Sequence, residues 1–158
     1  AIAIVKVNEN GWWVADIVHG RWDIKKTAKK IFDAVARYQP VAVGIEKGAL
    51  KNAVLPYLTD IMKSSQRFFR VEELTHGNKK KTDRVVWALQ GRFEHGQITL
   101  NKGEWNSQFL DELFQFPNAL VHDDLVDALA YVDQLAKVVY FYDYEEDDFK
   151  ILDPVAGY

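Results

Sequence analysis

The apolar positions of this chain follow two rhythms. Ala1 to Val7 (AIAIVKV) and Trp12 to Val18 (WWVADIV) are rich in β-branched and aromatic residues, and Asn8-Glu9-Asn10-Gly11 between them is a turn signal. The pair predicts an antiparallel hairpin. From Asp23 to Tyr38 the spacing becomes helical, with Ile24, Ala28, Ile31, Val35 and Tyr38 behind Asp23 as N-cap and Pro40 closing the segment. Val41 to Ile45 predicts a short buried strand, with Glu46 at its end. A helix is expected over Leu50–Ser65, with Pro56 as a kink or restart, then a strand over Phe68–Leu74. The basic loop His76-Gly-Asn-Lys-Lys-Lys81 leads into a helix from Thr82 to Phe93, on whose apolar side Trp87 and Phe93 are expected. A short strand (Gln97–Leu100), a helix (Gly103–Phe114) and a connector follow. The last helix is expected from Asp123 to Tyr142, with Leu125, Leu129, Val132, Ala136 and Val139 as its apolar face. Strands alternating with helices predict an α/β layered fold, and the opening hairpin makes its sheet mixed.

Length and composition narrow the field. The 158 residues suit one domain with a sizeable core, read as residues 1–142 followed by an acidic tail over 143–158. Asp143 to Asp153 holds six acids against one Lys, which suits a solvated tail or linker. At 48% apolar and 27% charged, the chain is neither collagen-like, nor a coiled coil, nor wholly disordered. Its net charge of 20 − 23 = −3 excludes a uniformly basic, histone-like protein but leaves a local basic patch open. The absence of Cys excludes disulfide scaffolds, thiolate metal sites and Cys nucleophiles. No apolar run is long enough for a membrane span, and nothing resembles a signal peptide. The chain opens inside a β-like run without Met, so it reads as a piece of a trimmed domain.

Three features carry chemistry. Glu46 ends a buried strand, the edge at which open α/β sheets place their ligands; the plainer alternative is a solvated loop acid paired with Lys47. Val121-His-Asp-Asp-Leu-Val-Asp127 starts a helix with two adjacent acids, and Asp123 and Asp127 share a face. One Asp there is explained by capping and the helix dipole. Three acids in five residues, beside His122, exceed that need and call for a neutralising cation. Hard carboxylate oxygens suit Mg²⁺ or Mn²⁺, and two such ions can drive phosphodiester cleavage if Glu46 and Asp123 or Asp124 converge. His122 is a candidate to orient the acid pair. Third, Lys63 to Arg92 carries eight Lys or Arg against three acids. Lys79, Lys80, Lys81 and Arg84 suit sequence-independent contact with a phosphate backbone; the alternative is a basic, solvated loop. None of the aromatic residues reads as a base-stacking platform. The sequence holds no phosphate loop, G-x-S-x-G, H-E-x-x-H or G-x-G-x-x-G.

Gly44-Ile-Glu46, Lys79-Lys-Lys-Thr-Asp-Arg84, Ala88 to Gly96 (ALQGRFEHG) and His122 to Ala130 (HDDLVDALA), in this order and spacing, resemble the C-terminal nuclease domain of the large terminase subunit of tailed bacteriophages. The hairpin ending in His19-Gly-Arg-Trp22 also fits. The resemblance covers roughly residues 1 to 140. It implies a ribonuclease H-like fold, a mixed sheet flanked by helices, with two Mg²⁺ or Mn²⁺ ions on three acidic positions. Glu46 matches one position, and Asp123 or Asp124 another; Asp127 is a supporting neighbour. The third is an Asp on a first, central strand that this chain lacks. That leaves three possibilities: a separate piece fills the slot, another chain fills it, or the sheet closes up. Asp16 is the only carboxylate on the hairpin strands, and it is not at the family's position. The resemblance implies an endonuclease that cuts double-stranded phage DNA in the host cytoplasm, alongside an ATPase motor domain, a small terminase subunit and a portal. The alternatives are a Holliday-junction-resolvase-like nuclease and a non-catalytic DNA-binding or docking module.

Overall fold

The computed structural model describes residues 1–140, so the acidic stretch 143–158 lies outside the described residues. Strands β1 (Ile2–Asn8) and β2 (Gly11–Val18) form the expected antiparallel hairpin. Gly11 is required at its turn. Its φ is +135°, and a Cβ there would lie 2.2 Å from the Gln97 carbonyl oxygen. That close approach lets Trp12 donate its N–H to Gln97 at 2.7 Å, which seats β5 (Ile98–Leu100) in parallel beside β2. A register shift between Ile4 and Val5 leaves Ala15 as the extra residue, and its carbonyl accepts from the Asn101 side chain at 3.1 Å.

Helix α1 (Ile24–Tyr38) starts as expected: the Asp23 carboxylate accepts the Lys26 N–H at 2.7 Å. It ends at Gln39, in the left-handed conformation, whose N–H returns to the Val35 carbonyl. Its last residue, Tyr38, donates to Asp16 at 2.9 Å. Burial raises the Tyr38 pKa above its ordinary value, and the neighbouring Asp16 carboxylate raises it further. Asp16 is thus tied to a tyrosine.

Strands β3 (Val43–Glu46) and β4 (Val71–Leu74) pair in parallel across α2 (Ala49–Ser65), which runs through Pro56 without a restart. Glu46 is the last residue of β3 and not the first after it. Helices α3 (Lys81–Glu94), α4 (Asn106–Gln115) and α5 (Asp124–Ala130) follow. The single long helix expected from Asp123 is interrupted: Tyr131 is a turn, and residues 132–140 are helical again. The interruption falls where the Tyr131 ring is held by Arg84 and His76.

The core has two parts. One gathers Trp12, Val14, Ile98, Leu89, Phe109, Leu125 and Leu129 between the hairpin and α3, α4 and α5. The other gathers Ala28, Ile31, Ile45, Val54 and Leu58 between α1, α2 and β3. β1 faces both, because its side chains alternate: Ala3, Val5 and Val7 pack on the first part and Ile2 on the second. The strands are hydrogen-bonded as β1-β2-β5 and β3-β4, with no ladder between β1 and β3. Among the described residues the sheet has therefore not closed up, and both strands keep one unpaired edge. The α/β architecture, mixed and flanked by helices, is the expected one. No described helix is long and apolar enough to cross a membrane.

Gly91 lies exposed in the interior of α3, and nothing stands within 4 Å of where a Cβ would sit. Gly91→Ala is expected to stabilise the domain by about 1 kcal/mol, because it lowers the entropy of the unfolded chain without a steric conflict. Urea denaturation of both proteins measures the difference.

Candidate active site

Glu46 reaches the edge of β3 with its side chain 40% exposed. The Lys47 N–H donates to the Leu74 carbonyl at 2.7 Å, which holds the ends of β3 and β4 level. The loop leaving β4 then brings the His76 imidazole against the Glu46 carboxylate. From the far side the Tyr131 hydroxyl lies 2.8 Å from His76 Nδ1. Burial pushes the Tyr131 phenol up to about 12; the Arg84 charge opposes this, and Glu46 and Asp127 add to it. Tyr131 is therefore a protonated, hydrogen-bonding hydroxyl throughout the neutral range.

The acids of the α5 start are not used as caps. Asp123 occupies the N-cap position, but its side chain makes no capping bond. The cap comes from α4: Glu112, only 3% exposed, accepts the Leu125 N–H at 2.8 Å and the Val126 N–H at 3.3 Å. Asp123 is thereby free to take Lys81, at 2.6 Å. Asp127, one turn on, takes Arg84 at 2.5 Å and lies 3.6 Å from Lys81. The Arg84 guanidinium also stacks over the Tyr131 ring, 4.0 Å from its centroid. Asp124 and His122 are exposed, and neither side chain makes a hydrogen bond among the described residues.

One continuous network thus links Glu46 through His76, Tyr131, Arg84, Asp127 and Lys81 to Asp123. The crowded acids need neutralising charge, and here two side-chain cations provide it. Burial pulls the Lys81 ammonium pKa down, but the Asp123 hydrogen bond and the Asp127 and Asp123 charges more than reverse this, leaving it above the ordinary lysine value. The carboxylate donors suit a hard divalent cation by type. No group of three or more His, Asp or Glu side chains is gathered to hold an ion among the described residues. An ion bound through Asp123 would have to displace Lys81.

The four basic candidates separate. Lys81 and Arg84 are engaged with acids. Lys80 is exposed at the α3 N-cap, and Lys79 lies over the Trp87 ring, 4.6 Å from its centroid. Trp87 itself corrects the expectation of an apolar-side residue. It is 66% exposed, because the core face of α3 is taken by Val85, Ala88 and Leu89. Phe93 does pack on the core, as expected. Three participants were not singled out from sequence. His76 stood in the basic loop, and Glu112 was an acid in the apolar stripe of α4, three residues after Phe109. Tyr131 carried no signal beyond lying one helical turn after Asp127.

A family model described as a terminase RNaseH-like domain matches residues 1–134. No curated protein and no solved structure matches the chain.

Two expectations follow from this geometry. Glu112→Ala leaves two buried backbone donors at the α5 start without their charged acceptor, so it should cost about 2 kcal/mol in urea denaturation and speed amide exchange at Leu125 and Val126. The stabilisation owed to Lys81 should be complete below the ordinary lysine range and fade as pH rises through its elevated pKa. Denaturation midpoints followed from neutral pH to about 11 should therefore fall less steeply in Lys81→Met than in the unaltered protein.

Proposed function

Since the chain belongs to the terminase RNaseH-like domain family, we propose that it is a divalent-ion-dependent endonuclease domain acting on double-stranded DNA during genome packaging. The family's role is nucleolytic. The observation that carries the finer reading is the network from Glu46 to Asp123, which ties carboxylates from two distant segments into one edge of the fold. Glu46 and Asp123 or Asp124 would hold Mg²⁺ or Mn²⁺. Such ions, when bound, activate a water and stabilise the leaving oxygen, giving 3′-hydroxyl and 5′-phosphate ends.

The chain's own residues orient this chemistry. His76 holds the Glu46 carboxylate, and Tyr131 holds His76. Lys81 neutralises Asp123 and is the group that would have to give way if Asp123 held an ion. Lys79 and Lys80 contact the phosphate backbone, and Arg84 supports them from the edge of the acid cluster. The free edges of β1 and β3 are where a strand carrying the family's third acid would add. Double-stranded DNA, an ATPase motor domain, a small terminase subunit and a portal are the partners this reading entails, in the host cytoplasm. A non-catalytic DNA-binding or docking module is the second reading. It is favoured by the pairing of Asp123 and Asp127 with the protein's own cations.

Nicking of supercoiled plasmid in Mn²⁺ tests the proposal. The protein is expected to nick, and Glu46→Gln to reduce nicking to background while keeping its circular dichroism spectrum. Undiminished nicking by the variant refutes the role of Glu46. Binding without a cut by either protein, with steep salt dependence, establishes the docking reading instead.

A further inference from the structure

A cleft of about 520 Å³ opens between the β4–α3 loop, α3 and residues 130–137, with His76 and Tyr131 in its lining. We infer that it is a subsite for a single unpaired nucleotide, with Trp87 stacking the base and Lys79 and Arg84 facing its phosphate. This deepens the nuclease reading and rests on it for the identity of the polymer.

Several independent observations converge here. Trp87 lines the cleft and is 66% exposed, the most exposed of the tryptophans described. An indole face left in water gains from burial against another flat ring, and every base offers one. The cleft also carries Lys79, Arg84, Arg92 and Lys137 against one acid, Asp133. Arg92 and Lys137 share Asp133 and Arg84 is paired with Asp127, so Lys79, with no acid partner among the described residues, contributes surplus positive charge. Lys79 lies over the Trp87 ring, 4.6 Å from its centroid, and a stacking base would displace it toward the phosphate. Arg84 lies three residues before Trp87 on α3 with its side chain only 12% exposed. Its Nη2 bonds Asp127, whereas Nε and Nη1 have no hydrogen-bond partner among the described residues. Both atoms are closed to solvent, so a phosphate oxygen would reach these unused donors only after the Arg84 side chain shifts toward the cleft.

Size and stacking select the class of ligand. The cleft has the volume of a small-molecule site and cannot admit a duplex. Inside a duplex each base face is covered by its neighbours. Only an unpaired nucleotide, at a frayed end or drawn out beside a cut, presents a face to Trp87. His76 and Tyr131 line the cleft and His76 contacts Glu46, so this nucleotide would sit next to the proposed reacting position.

The experiment measures binding by the full chain in EDTA, which separates it from cleavage. Fluorescence anisotropy would follow a labelled oligothymidylate of about ten nucleotides and a blunt duplex of the same length. Trp87→Ala is expected to weaken single-strand binding about tenfold, with Trp87→Phe restoring most of it. Duplex affinity should change by less than about twofold, because duplex binding is dominated by phosphate contacts. The salt slope should stay the same in Trp87→Ala and become shallower in Lys79→Ala. Unchanged single-strand binding by Trp87→Ala, an equal loss on duplex, or no single-strand binding by the unaltered protein would each overturn the inference. If Glu46→Gln leaves nicking intact, the nuclease reading fails, and these binding results stand apart from it.

Discussion

The N-terminus of α5 is capped from another helix, and that one arrangement decides what the acids of α5 can do. An Asp at an N-cap ordinarily turns its carboxylate back onto its own backbone. Here the buried Glu112 takes the Leu125 and Val126 amides, and Asp123 faces outward. Lys81 and Arg84 then close on Asp123 and Asp127, joining the start of α3 to the start of α5. Without Glu112, the α5 amides would compete with Lys81 for Asp123.

A second constraint is the divided sheet. β1-β2-β5 and β3-β4 each have their own core, and β1 links the two only through its alternating side chains. Glu46 belongs to one half and Asp123 to the other. Their separation is bridged by polar contacts through His76 and Tyr131, and by no ladder of backbone hydrogen bonds.

Charge is arranged in layers around this bridge. Acids and cations neutralise one another at the α3–α5 junction, and the surplus positive charge of Lys79 and Lys80 lies outside it. A polyanion is thus met by the outer lysines before it encounters the acids. The exposed Trp87 sits on the same flank, with Lys79 over its ring.

The local patterns were legible without coordinates because they depend on neighbours in sequence. The hairpin needs only its turn residues and period, and α1 needs Asp23 and its apolar stripe; both elements lie where those signals put them. Glu46 at a strand end was legible for the same reason. Long-range pairing was not. That Glu112 caps α5, that Tyr131 meets His76 across 55 residues, and that Lys81 and Arg84 meet the acids of α5 while Trp87 faces water all depend on how helices pack. A helical period places a residue on a face, and only the neighbouring element determines whether that face is core, partner or solvent.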